Sequence, residues 1–97
     1  MPIYINLINL TDQGVRHIKD APDRLRETTA LFDKHGAKLA GFYLTMGSYD
    51  YVAIMEAPDD ATAARLMLAM AGQGNVRTTT LKAFSQEEFE KIVSSLR

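Results

Sequence analysis

Leu39-Ala40-Gly41-Phe42-Tyr43-Leu44-Thr45-Met46-Gly47-Ser48-Tyr49-Asp50-Tyr51-Val52-Ala53-Ile54-Met55-Glu56-Ala57 reads as two strands folded back on each other. Aromatic and branched aliphatic residues dominate both halves, as they do in strands. Glycine at the first of two turn positions suits a type II′ hairpin. Leu39–Met46 and Tyr49–Ala57 are therefore expected to pair about a Gly47-Ser48 turn. That register puts Phe42, Leu44, Met46, Tyr49, Tyr51 and Ala53 on one face. Tyr43, Thr45, Asp50, Val52 and Ile54 fall on the other, because residues directly opposite in an antiparallel pair share a face.

Outward from the hairpin, each flank carries a strand and a helix. Upstream, Ile3–Leu10 is rich in β-branched residues and predicts a first strand. Thr11-Asp12 offers a helix cap, with Val15 and Ile18 starting an apolar face. Pro22 cannot sit deep in a helix, so Asp20-Ala21-Pro22-Asp23 predicts a restart with the proline in the first turn. Leu25, Thr28, Thr29 and Phe32 continue the buried face until Gly36 stops it. Downstream, Asp59 caps a second helix whose stripe is Ala63, Leu66, Met67 and Met70, ended by Gly72 and Gly74. Val76–Phe84 predicts the last strand. Ser85-Gln86-Glu87-Glu88 is a capping box, and it opens a final helix with Phe89, Ile92, Val93 and Leu96 on one side.

The order β-α-β-β-α-β-α over residues 1–97 defines one α+β domain. With right-handed crossovers it folds as a ferredoxin-like, four-stranded antiparallel sheet with helices on one face and an extra C-terminal helix. Both hairpin faces are apolar, yet two helices cover only one. The other is expected to meet a second copy of the chain, and the face bearing Phe42, Leu44, Tyr51 and Ala53 is assigned to that homodimer. The final helix is expected to dock through its apolar stripe.

Composition narrows the function classes. The chain has 97 residues, a formal charge of −1 and no cysteine, so disulfides, thiol nucleophiles and thiolate metal sites are out of reach. A near-neutral charge gives no electrostatic grip on nucleic acid or anionic lipid. No apolar run approaches a membrane span, and Met1-Pro2-Ile3-Tyr4-Ile5 has no basic region of a secretory signal. A cytoplasmic protein is expected, with no nucleic-acid or membrane partner and no cofactor.

The segments Asn6–Gly14, Gly41–Asp50, Glu56–Asp60 and Gly74–Thr78 together resemble the GYD-domain family of small bacterial proteins, over nearly the whole chain. The resemblance implies a dimeric α+β-barrel architecture and no single activity. Its wider fold relatives include cofactor-free monooxygenases, isomerases, haem enzymes and small-ligand regulatory domains, among which fold alone does not choose.

Four residues are candidates for a ligand site: Asn6, His17, Tyr49 and Asp50. Asn6 would present a neutral donor and acceptor from a rigid strand, with Tyr4 on the same face. Tyr49 and Asp50 could line a pocket at the hairpin end, or Asp50 could simply accept backbone hydrogen bonds there. His17 is the candidate titratable rim group, whereas His35 sits in a last helical turn that favours imidazolium. Thr78 and Thr80 could add hydroxyls, and Met55, Met67 and Met70 a soft wall or core filling. No histidine–carboxylate spacing supports a metal. Pro2, if it became the N-terminus, could act as a tautomerase base with Arg77 as its cation. The leading reading is a small-ligand-binding homodimer with an apolar cavity between sheet and helices. The alternatives are a cofactor-independent monooxygenase or isomerase acting on a small enolisable substrate, and an interaction module without a ligand.

Overall fold

The computed structural model describes residues 1–96. Its elements run β1 (Ile3–Leu10), α1 (Asp12–Arg16), a single 3₁₀ turn (Ile18–Asp20), α2 (Ala21–Lys34), β2 (Lys38–Leu44), β3 (Tyr51–Glu56), α3 (Asp60–Gly72), β4 (Val76–Ala83) and α4 (Gln86–Ser94). The sheet is antiparallel throughout, in the order β2-β3-β1-β4. This is the ferredoxin-like α+β arrangement.

Local chemistry places the helix boundaries. Thr11 caps α1 by accepting the Gly14 N–H, Asp59 caps α3 by accepting that of Thr62 at 2.8 Å, and Ser85 with Glu88 closes a reciprocal capping box on α4. Pro22 lies in the first turn of α2, where its missing N–H costs nothing. Gly36 takes φ +72° just beyond α2, a conformation that suits glycine.

The hairpin is wider than a two-residue turn. Leu44 pairs with Tyr51 as the expected register requires, but the ladder ends there and Thr45–Asp50 form the loop. Thr45 donates its N–H to the Asp50 carbonyl (2.9 Å) and its hydroxyl to the Tyr49 carbonyl (2.6 Å). Asp50 also bonds on its other side, giving its N–H to the Ile8 carbonyl of β1 at 2.9 Å.

The helices pack on the face that carries Tyr4, Asn6 and Ile8 of β1, all buried, while Ile3, Ile5 and Leu7 between them stay half-buried on the other side. Through the register, that covered face is also the face of Phe42, Tyr51 and Ala53. The dimer face inferred from sequence is thus the inner face. The open one instead carries Ile5, Leu7, Val52, Ile54, Tyr43 and Leu81. Hydropathy could not separate the two because both are apolar.

A second expectation also fails within the chain. Phe89, Ile92, Val93 and Leu96 are all exposed, and α4 makes at most slight contact with any other element among the described residues. The radius of gyration, 14.7 Å, exceeds the roughly 12.5 Å of a compact chain of this length. The final helix is an arm.

The packed core lies at one end of the sheet: Tyr4, Met55 and Ala57 meet Phe32 from α2 and Ala63, Leu66 and Met67 from α3. The Tyr4 hydroxyl donates to the Asp60 carboxylate, which also takes Lys82 Nζ at 3.1 Å. That bond, with burial and the charges of Asp60 and Asp59 behind it, pushes the Tyr4 phenol from 10.0 up to about 12. The same phenol, and then Lys82, hold the Asp60 carboxyl below its ordinary value.

An unfolded Tyr4 loses its proton near pH 10.0 and the folded one only near about 12. The stability from this contact is therefore complete below pH 10.0 and lost as pH rises through about 12. Denaturant melts should show that alkaline loss in the wild type and less of it in Tyr4→Phe. The variant should also be less stable at neutral pH by roughly 1–3 kcal/mol.

Candidate functional site

Beyond the packed end the layers part. In one row across the sheet Ala53 stands beside Asn6 and opposite Phe42, so the middle of the row is filled only by a methyl and a short amide. The next row has Met55 beside Tyr4 and is solid core. Leu25 and Phe32 of α2 and Met70 of α3 line the space over this row. The cavity measures about 270 Å³, just below the range of small-ligand sites, about 300–1,000 Å³.

Its walls are apolar. Ile8 and Leu10 come from β1, Leu25 and Phe32 from α2, and Met70 from the end of α3. Phe42 and Tyr51 close one side, their ring centroids 4.9 Å apart and tilted by 40°. Polar lining is sparse. Asn6 is 1% exposed, and its Oδ1 accepts the Thr80 hydroxyl at 3.0 Å. Arg24 is half-buried and gives Nη1 to the His17 carbonyl at 3.0 Å.

The far end is fastened by two loops. Thr11 donates its N–H to the Asn75 carbonyl (3.0 Å) and its hydroxyl to the Gly74 carbonyl (2.6 Å). Gln13 Nε2 reaches the Gln73 carbonyl and Asn75 Oδ1. Glycine is required at position 14, where a Cβ would lie 2.2 Å from the Asn75 carbonyl oxygen. The segments around Thr11 and Gly74 are thus one structural unit at the end of the cavity.

The four candidates do not converge. Asn6 lines the cavity. His17 is exposed at the end of α1, meeting Arg24 only through its carbonyl. Tyr49 lies half-buried in the β2–β3 loop. Asp50 accepts the Leu10 N–H at 2.8 Å, so it holds the β1 backbone that carries Ile8 and Leu10 without lining the cavity itself. Thr80 serves Asn6 from the neighbouring strand. Of the methionines, Met70 lines the cavity while Met55 and Met67 are core. Pro2 precedes the β1–β4 pairing at Ile3–Ala83, and Arg77 pairs with Asn9 at the opposite end of the ladder; the two cannot serve one reacting atom. The residues missed from sequence, Phe32, Phe42, Tyr51 and Ala53, were readable only as core or interface until the helix-bearing face was known.

A ferredoxin-like domain with a hollow inner face and an exposed outer face is the class defined here. The chain belongs to the GYD domain family, whose model matches residues 4–93. It is similar to the glutamine synthetase and cystathionine beta-lyase binding protein of Thermus thermophilus, with 39% identity over 84 residues, covering 86% of this chain and 88% of the relative. No helix among the described residues is long and apolar enough to cross a membrane.

Filling the gap tests whether it is dispensable for folding. Ala53→Leu should leave the melting temperature level or raise it, by up to about 2 kcal/mol of added stability, while abolishing uptake of any small apolar probe. Calorimetry with and without a probe such as benzene reads both.

Proposed function

We propose that this chain is a homodimeric binding protein in which each copy holds a small molecule in its cavity. The observation that carries this reading is the cavity lining, an apolar chamber with a few polar groups and no carboxylate, imidazole or thiol among its residues. Such a chamber suits holding a ligand. Proton abstraction from an enolisable substrate, the enzymatic alternative, needs a base within reach, which ranks it below ligand holding. A purely structural role gives no reason for the gap in the row at Ala53.

Two surfaces support the second copy. The outer sheet face has Ile5, Ile54 and Leu7, Val52 side by side, an apolar patch that water does not favour. The nine-residue α4 is too short to be stable alone, and its own protomer does not cover its apolar stripe. Sedimentation velocity at micromolar concentration should show a dimer, and Val52→Lys should dissociate it. A wild-type monomer would contradict the assembly.

A second reading concerns a protein partner. The relative's name gives it glutamine synthetase and cystathionine beta-lyase as binding partners, and the β2–β3 loop offers a contact point here, with Leu44 79% and Met46 100% exposed. On this reading the dimer docks on an enzyme of that kind through the hairpin tips. Biolayer interferometry against purified glutamine synthetase and cystathionine beta-lyase from the same organism should show saturable binding to at least one. Met46→Glu should weaken that binding without changing the dimer. No binding to either enzyme removes the second reading and leaves the first intact.

A further inference from the structure

We propose that the ligand is a neutral, largely apolar molecule bearing a carbonyl oxygen, and that Asn6 is the residue that selects it. The inference rests on the ligand-holding reading above and adds the chemistry of what is held. Asn6 stands in the middle of β1, nearly wholly buried, with a side chain that has two hydrogen-bonding ends. Its Oδ1 accepts the Thr80 hydroxyl. Among the described residues no protein acceptor takes an N–H of its Nδ2, and that nitrogen is not sealed from the cavity. An accessible amide N–H at the wall of an apolar chamber offers a guest one directed hydrogen bond there.

The acceptor's charge follows from the surroundings. Phe32 and Ala53 border the same chamber, and a carboxylate placed there would gain one amide N–H against the loss of its hydration, a poor exchange. Arg24, the cation among the lining residues, gives Nη1 to the His17 carbonyl and keeps its charge and remaining N–H groups, so an anionic probe belongs in the test. A ketone, ester or amide oxygen asks for one donor and tolerates an apolar remainder. The remainder would lie along Ile8, Leu10 and Leu25, with the Phe42 and Tyr51 rings beside it.

The test uses the intact protein, isotopically labelled, titrated separately with methyl pentyl ketone, heptane and hexanoate while side-chain and backbone amide resonances are followed. The ketone should bind saturably and move the Asn6 side-chain amide signal. Asn6→Leu should weaken ketone binding roughly 2- to 13-fold, the worth of one net hydrogen bond, and should not weaken heptane binding. If the variant does not fold, the wild-type Asn6 signal decides alone. Ketone binding that leaves that signal unmoved, or that Asn6→Leu does not weaken, overturns the carbonyl assignment while the ligand-holding reading stands. Hexanoate binding in the cavity as tightly as the ketone overturns the neutral-ligand assignment. If none of the three probes moves a cavity-lining resonance, the ligand-holding reading itself falls.

Discussion

Two helices cannot cover both faces of a four-stranded sheet, and most of what distinguishes this protein follows from that constraint. The covered face receives α2 and α3, of 14 and 13 residues. The uncovered face keeps Ile5, Leu7, Val52 and Ile54 toward solvent. Hydrophobic burial is the main stabilising term in folding, so an uncovered apolar face leaves stabilisation that only association can supply. The second copy proposed for that face therefore belongs to the folding problem as much as to function.

The covered face is divided along its length. At the Tyr4–Met55 row large side chains meet Phe32 and Leu66 and the layers close. One step along β1, Asn6 and Ala53 are small, and they line the inner end of the cavity with Phe32. Protein interiors pack densely enough that such a gap persists only where its surroundings are fixed. Here they are fixed at both ends. Core packing and the Tyr4–Asp60–Lys82 contact secure one end. At the other, Asp50 holds Leu10 and the Thr11 loop holds Asn75. Asp50, itself outside the chamber lining, thus contacts the backbone of β1 at Ile8 and Leu10.

Much of the fold was legible in local chemistry. Thr11, Asp59 and Ser85 announce helix starts because their side chains satisfy backbone donors that would otherwise be unpaired. The hairpin register was legible from Gly41 to the turn, since Leu44 faces Tyr51 whether the connecting loop is short or long, but the irregularity that sets Leu39 opposite Met55 was not. What could not be read was anything that depends on which face the helices choose. Phe42, Tyr51 and Ala53 look the same in sequence whether they meet a helix or a partner chain. The stripe of α4 likewise says that the helix must be covered, and not by what. Of the candidate site, Asn6 was legible because an amide in the middle of an apolar strand requires partners. Asp50 was ambiguous because a carboxylate beside a turn can serve backbone or ligand equally well.

Ligand holding requires the space between β1, β3 and α2 to be open in the folded protein and to accept an apolar guest. Crystals of the protein pressurised with xenon test it most directly, because xenon enters dry apolar cavities without requiring any hydrogen bond. A xenon atom between Phe32 and Ala53 is expected in every copy. A solid interior there, with the Phe32 ring seated against Ala53 and no bound xenon, would contradict it.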